Sequence, residues 1–300
     1  MSEHASLRHV LSTQSKCKLK ALETHASEHM TNPLGNWLMP TIAAKPDNLN
    51  ELNSKFVQEP LKTPLFLNSV PKSGTHLMRN IIRMFVPVAQ QYHDAFIQIP
   101  ILRQHIDAFN KTKPKVSWGH LLFSDDSAIA LRSVRHILLV RDPYDWVLAR
   151  ARFFLSDTFK GSLDHLKGGN VSIDEVLNMM ILGIHGKSPT LNEIYTHNAV
   201  GWMGTNAIVI RYEDLMANAK DLESARSRHF FESLFNNAGL NALPKDWIER
   251  VRLGADRKQS GTARENLAGL KEPVPEILPD KQKQMVDYAA PGLRAMLGYR

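Results

Sequence analysis

The chain of 300 residues has a single cysteine, Cys17. No intrachain disulfide can form, so disulfide-built secreted scaffolds are excluded, and Cys-based zinc and iron–sulfur sites go with them. Long apolar runs are missing too. No segment approaches the ~18 consecutive apolar residues of a transmembrane helix. The stretch from Met1 to Met30 has no apolar h-region and carries Glu3, Glu23 and Glu28, which argues against a signal or transit peptide. The expectation is a cytoplasmic protein without a membrane span. Charge of one sign is not massed either: 37 Lys+Arg against 30 Asp+Glu leave a formal +7. The densest basic run, Lys16, Lys18 and Lys20, reads as a solvated helix face, and no arm for nucleic acid or lipid is indicated. A mildly positive surface also suits a small polyanionic ligand.

The chain carries 43% hydrophobic residues, enough at this length to bury a core without staples. Residues 1–62 have weak apolar periodicity, and prolines at 33, 40, 46 and 60 break them up. They are expected to be a partly irregular preamble to an α/β domain over 63–300. There the pattern changes. Leu65 to Val70 is a short apolar run suited to a buried strand, and beyond Pro71-Lys72-Ser73-Gly74 the residues Leu77, Met78, Ile81, Ile82 and Phe85 recur at helical spacing. Lys115 to Trp118, His136 to Val140 and Ala207 to Arg211 read as further buried strands. Helical stretches separate them, notably Ser172 to Ile184, opened by a capping box of Ser172 and Glu175. Such alternation predicts a three-layer, P-loop-like α/β fold, its central and mostly parallel sheet flanked by helices.

Ligands of such folds sit at the carboxyl ends of the strands. Val70-Pro71-Lys72-Ser73-Gly74-Thr75-His76-Leu77 combines a glycine for a tight turn, helix-start N–H groups, two hydroxyls and a lysine. That is a phosphate cradle in physical type, although it lacks the G-x-x-x-x-G-K-[ST] spacing of a Walker loop. An ordinary capped βα turn is the plainer alternative. Gly119-His120-Leu121 follows Trp118; a neutral imidazole there is a natural base toward an alcohol, or simply a structural histidine. In Arg141-Asp142-Pro143-Tyr144-Asp145, Asp142 and Pro143 suit a helix start. Arg141 offers a forked donor set for phosphate, or a salt bridge to Asp142 or Asp145. Arg211-Tyr212-Glu213-Asp214-Leu215 is again a strand running into a helix. Asp256 to Arg264, with Arg257, Lys258 and Gly261, reads as a loop able to close over an anion, or as a solvated basic loop.

These elements, in this order, resemble the nucleotide-dependent sulfotransferases of cytosolic and bacterial type. Pro71-Lys72-Ser73-Gly74-Thr75 is similar to that family's 5′-phosphosulfate loop, and Arg141-Asp142-Pro143-Tyr144-Asp145 to the start of its 3′-phosphate motif. Tyr212-Glu213-Asp214-Leu215 resembles another signature, Arg257-Lys258 the C-terminal nucleotide loop, and Ala295 to Tyr299 the ending of many bacterial members. The resemblance runs from about Pro64 to the C-terminus. It implies transfer of a sulfuryl group from 3′-phosphoadenosine-5′-phosphosulfate, as co-substrate, to an acceptor hydroxyl or amine on a small molecule, without a metal.

On that likeness Lys72 contacts the bridging oxygen, and Ser73, Gly74, Thr75, His76 and Leu77 hold the 5′-phosphate. Arg141 binds the 3′-phosphate with Arg257 and Lys258, Tyr212 reaches the adenine, and His120 aligns with the catalytic base. Three positions depart from the family pattern. His76-Leu77 stands for Thr-Trp. Ala149 replaces a serine, leaving Arg150 or Arg152 to supply the missing donor, and Gln259 replaces a glycine. Two alternatives stand beside this resemblance: an ATP-dependent P-loop kinase or nucleotidase, against which the missing Walker spacing argues, and a catalytically weak fold-mate that binds a nucleotide or glycan, for which His76, Ala149 and Gln259 are the motive. Phe96, Ile97, Phe153, Phe154 and Trp202 are candidates for an apolar acceptor pocket or for core.

Overall fold

The run Leu65-Phe66-Leu67-Asn68-Ser69 is wholly buried, and this follows from its place in the sheet. In the computed structural model, which describes residues 41–42, 45–161, 163–240, 242–261, 267 and 272–300, the strands are β1 (Thr41–Ile42), β2 (Leu65–Ser69), β3 (Val116–Gly119), β4 (Arg135–Val140), β5 (Phe159–Lys160) and β6 (Ile208–Arg211). β1 and β5 form a small antiparallel pair. The other four make a parallel sheet in the order β3-β2-β4-β6, so β2 is paired on both edges and covered on both faces. All four carboxyl ends therefore lie along one edge of the sheet. Cys17, the basic run at Lys16–Lys20 and Thr262 to Arg264 lie outside the described residues.

Helices cover the two faces, as side-chain alternation requires. Leu65, Leu67, Ile137 and Leu139 point into one core with α2 (Thr75–Arg83), α8 (Ala225–Ala238) and α9 (Trp247–Ala255); Phe66, Leu138 and Val140 point into the other with α4 (Pro143–Leu155), α5 (Ile173–Leu182), α6 (Leu191–Asn198) and α10 (Asp280–Ala289). That gives the three-layer α/β arrangement the alternation of strands and helices predicts. A short α1 (Leu49–Asn53) buries Leu49 in the first of these cores. α3 (Asp125–Leu131) and α7 (Tyr212–Lys220) follow β3 and β6, and α11 (Leu293–Met296) lies near the C-terminus.

Local chemistry explains the helix starts. Ser172 accepts from Glu175 N while Glu175 accepts from Ser172 N, a capping box that satisfies two otherwise orphaned donors. Asp142 accepts from Tyr144 N with Pro143 at the first position of α4. No helix among the described residues is long and apolar enough to cross a membrane.

Candidate active site

The loop after β2 is the most constrained backbone at the carboxyl edge. Lys72 has φ +69°, the only non-glycine with positive φ among the described residues, and Gly74 has φ +95°. A left-handed L-residue costs about 1–2 kcal/mol. At Gly74 a side chain is also barred by space, since a Cβ there would stand 2.4 Å from Tyr212 Cδ2. The Tyr212 ring thus lies on the loop, and the Arg141 guanidinium sits 4.4 Å from that ring. Arg141 Nη1 reaches Lys72 O at 3.5 Å, and Tyr195 donates to Arg141 O at 2.8 Å. Arg141 forms no ion pair among the described residues; Asp142 instead takes both nitrogens of Arg294, at 3.0 and 2.9 Å.

Two buried polar atoms beside this loop, on Ser73 and Arg141, have no hydrogen-bond partner. No side chain caps α2, as is also the case for α1, α7, α9, α10 and α11; Ser124, Asp142, Ser172, Thr190 and Ser224 cap α3, α4, α5, α6 and α8. The first N–H groups of α2, from Thr75, His76 and Leu77, therefore keep the partial positive charge of a helix start. Ser73 is 0% exposed, and its Oγ has no hydrogen-bond partner; Arg141 Nε is likewise buried and unpartnered. Two orphaned polar atoms beside an uncapped helix start fit a bound anion.

His120 stands at the end of β3 and is clipped to β2. Nδ1 lies 2.8 Å from Ser69 O; a carbonyl only accepts, so Nδ1 carries the proton and Nε2 keeps its lone pair. Asn68 fixes the backbone beyond it, accepting from Leu121 N at 2.9 Å and donating to Leu121 O at 3.0 Å. Phe96 packs edge-on against the imidazole at 4.7 Å. Burial first, and the charge of Lys72 after it, push the imidazole down to about 4, against the opposing bond to Ser69. His120 is therefore neutral across the neutral range. Thr75 Oγ1 is bonded to Ser69 Oγ at 2.7 Å, which ties the helix start to the same cluster.

Lys72 and His120 both line a cavity of about 350 Å³, with Trp146, Phe153, Phe154 and Ile194 among its apolar walls. Lys72 Nζ sits 3.0 Å over the Phe153 ring. Of the expected pocket residues, Phe153 and Phe154 line this cavity, while Ile97 and Trp202 are buried core.

The structure thus brings Lys72, Ser73, Gly74, Thr75, His120, Arg141 and Tyr212 together. Arg257 and Lys258 sit on an exposed 3-10 turn, Arg257–Gln259. The next residue anchors that turn to α2, where Asn80 donates to Gln259 O at 2.9 Å. Asn80 is five residues, about 7.5 Å of helix axis, beyond Thr75. Gln259 also accepts from Asn48 N at 3.2 Å, a tie that a glycine cannot make. Arg152 donates to Pro275 O and Arg150 to Met180 O, Ser188 Oγ and Pro189 O, so both expected substitutes for the donor missing at Ala149 are engaged with backbone and Ser188. Asn68, Ser69 and Tyr195 are positioning residues that sequence reasoning missed. Asn68-Ser69 did carry a signal, two polar residues closing an otherwise apolar buried strand.

No family model matches the chain, and no curated protein matches it. Among solved structures, the mouse sulfotransferase SULT7A1 complexed with PAP aligns with a TM-score of 0.49 at 15% identity, over 82% of this chain and 88% of that chain.

Proposed function

We propose that the chain transfers a sulfuryl group from 3′-phosphoadenosine-5′-phosphosulfate to a hydroxyl or amine of a small acceptor. One observation carries the reading. An uncapped helix start with a buried, unpartnered Ser73 hydroxyl meets Lys72, and Lys72 shares its cavity with a neutral His120 whose Nδ1 is pinned to Ser69 O. The lysine of the loop and the base thus line one largely apolar cavity. The motifs named above, in their order, support the same reading.

In it, the co-substrate supplies an activated sulfuryl group on a phosphate leaving group. Ser73 Oγ and the N–H groups of Gly74, Thr75, His76 and Leu77 hold the 5′-phosphate. Arg141 takes the 3′-phosphate, and Arg257 and Lys258 close from the other side of the nucleotide. Tyr212, fixed between Gly74 and Arg141, borders the base. His120 Nε2 takes the acceptor proton as the new oxygen–sulfur or nitrogen–sulfur bond forms. Lys72 and the loop amides steady the charge left on the bridging oxygen as its bond to sulfur breaks. Most of the rate would come from positioning and electrostatics. Two residues after Gly74, where the G-K-[ST] of a Walker loop presents a hydroxyl to magnesium, stands His76, which favours this reading over an ATP-dependent kinase.

The test is transfer of labelled sulfate across phenols, alcohols and amines. Lys72→Ala and His120→Ala are each expected to lower turnover by about 10²–10⁴ in a folded protein; a His120→Ala variant with near-normal rate removes the base. Calorimetry is expected to show binding of 3′,5′-adenosine bisphosphate and none of ATP–Mg. Tight ATP–Mg binding would favour the kinase, and nucleotide binding with no transfer to any acceptor the inactive fold-mate.

A further inference from the structure

Among the described residues, Arg150 is a buried cation that pairs with no acid. It lies on α4 with 3% of its surface exposed, one helical turn, about 6 Å of axis, beyond Trp146. Trp146 itself is bonded to Pro71 O next to Lys72. Three of the five guanidinium N–H donors go to Met180 O at 2.7 Å, Ser188 Oγ at 2.6 Å and Pro189 O at 2.8 Å, all neutral acceptors. The Trp146 ring lies 4.8 Å from the guanidinium carbon and the Phe154 ring 5.7 Å. Among the described residues no carboxylate pairs with it; its charge is met by neutral acceptors and ring faces alone. Burial pushes the guanidinium down to about 10, which leaves it charged at neutral pH.

Burying a charge is costly unless it is paired; the three bonds tie α4 to the last turn of α5 and the loop after it, but none of them supplies a counter-charge. Arg150 lines the same cavity as Lys72 and His120, and no aspartate or glutamate lines it. The co-substrate's charge is met at the loop, at Lys72 and Arg141, so it leaves Arg150 unmatched. Arg150 Nε–H and one Nη1–H are outside these three bonds, and the cavity that Arg150 lines has the aromatic walls Trp146, Phe153 and Phe154.

We infer that Arg150 is a specificity-determining residue that binds an anionic group, a carboxylate, on the acceptor, while the acceptor's hydroxyl lies at His120. This deepens the proposed sulfuryl transfer and rests on it.

The experiment compares para-hydroxyphenylacetate with its uncharged carboxamide, and the next-longer hydroxyphenylpropionate with its amide. Binding is read by calorimetry with 3′,5′-adenosine bisphosphate present, and transfer by labelled sulfate. Wild type is expected to bind and turn over at least one acid ~10-fold or more better than its amide. Arg150→Gln should erase that preference while its kcat/KM for the amide stays within about threefold of wild type, and Arg150→Lys should keep part of it. Melting curves check that both variants are folded. Acid and amide used equally, neither acid bound, or acid and amide falling together in a folded Arg150→Gln protein would overturn the inference and leave sulfuryl transfer standing. Arg150-dependent binding of the acid without any transfer would uphold the anion site and overturn the reaction.

Discussion

A buried hydroxyl without a partner opposes folding, and Ser73 is in that position: fully buried, its Oγ unbonded, beside a lysine held in the left-handed region. An unsatisfied buried polar atom costs about 1–3 kcal/mol, and the Lys72 backbone costs a further ~1–2 kcal/mol. A βα turn that served packing alone would have no reason to keep either. Ser73→Ala is therefore expected to raise Tm by a few degrees, at roughly 2–4 °C per kcal/mol for a chain of this size, while it weakens binding of 3′,5′-adenosine bisphosphate. Ser69→Ala, which deletes a hydroxyl bonded to Thr75, should lower Tm. Scanning calorimetry with nucleotide titration checks both; a Ser73→Ala protein of lower Tm and unchanged affinity would make the hydroxyl structural.

Among elements, the C-terminal segment and the ends of β4 and β6 are one hydrogen-bonded unit. Arg294 grips Asp142, which also caps α4. Asp142 N donates to Glu213 Oε1 at 3.0 Å, and Glu213 Oε2 accepts from Tyr299 at 2.7 Å. Arg211 reaches Gly298 O at 2.8 Å. Arg141 and Tyr212 stand directly beside these groups in sequence, so the unit holds the pair that borders the loop. Arg294→Met is expected to cost about 1–3 kcal/mol, the range for losing charge-assisted bonds to a partly buried carboxylate. It should also lower nucleotide affinity, read by denaturant melts and calorimetry; full affinity in a destabilised variant would detach this unit from the site. The four parallel strands and the helices at Thr75, Pro143, Ile173 and Tyr212 were legible in the sequence, because buried parallel strands are continuous apolar runs and Ser172, Glu175, Asp142 and Pro143 mark helix starts locally; β1, β5 and the other helices were not read. Nor were the ties between elements. Nothing in Ala295 to Tyr299 says that it closes on Glu213. The packing of α9 on α2 depends on Gly254, where a Cβ would stand 2.6 Å from Ile81 Cα, and only the meeting of two distant helices makes that glycine matter.

At the scale of the whole molecule, the cavity was the part that could not be read, for the same reason. Its walls come from Pro71, Gln98, His120, Trp146, Pro189 and their neighbours, and periodicity reports which face of a segment is apolar, never which other face it meets. Nor could it separate two histidines that the fold treats alike electrically and differently in contacts. His120 has Ser69; His136 lies 1% exposed between Phe66 and Trp202, with neither ring nitrogen bonded. Burial pushes His136 down to about 3 and His120 to about 4, and His93 is lowered as well. Because these folded values lie below the unfolded ~6.5, the unfolded chain binds protons that the native chain refuses as pH falls. Stability is therefore expected to decline with falling pH from about 6.5 downward, each histidine adding up to ~1.4 kcal/mol per pH unit. The decline from His120 stops near pH 4 and that from His136 near pH 3. Asp47, whose carboxyl is held below its usual value by Arg83 and Arg79, loses stability only at lower pH, so pH 6.5 to 4.5 is the histidine window. Melts across it should show a falling Tm in wild type. His136→Leu, which fills an apolar site and removes two orphaned nitrogens, should flatten the slope by about one proton's worth and hold or raise Tm at pH 7. A slope unchanged in His136→Leu would mean that the native protein opens enough at this site to hydrate the ring.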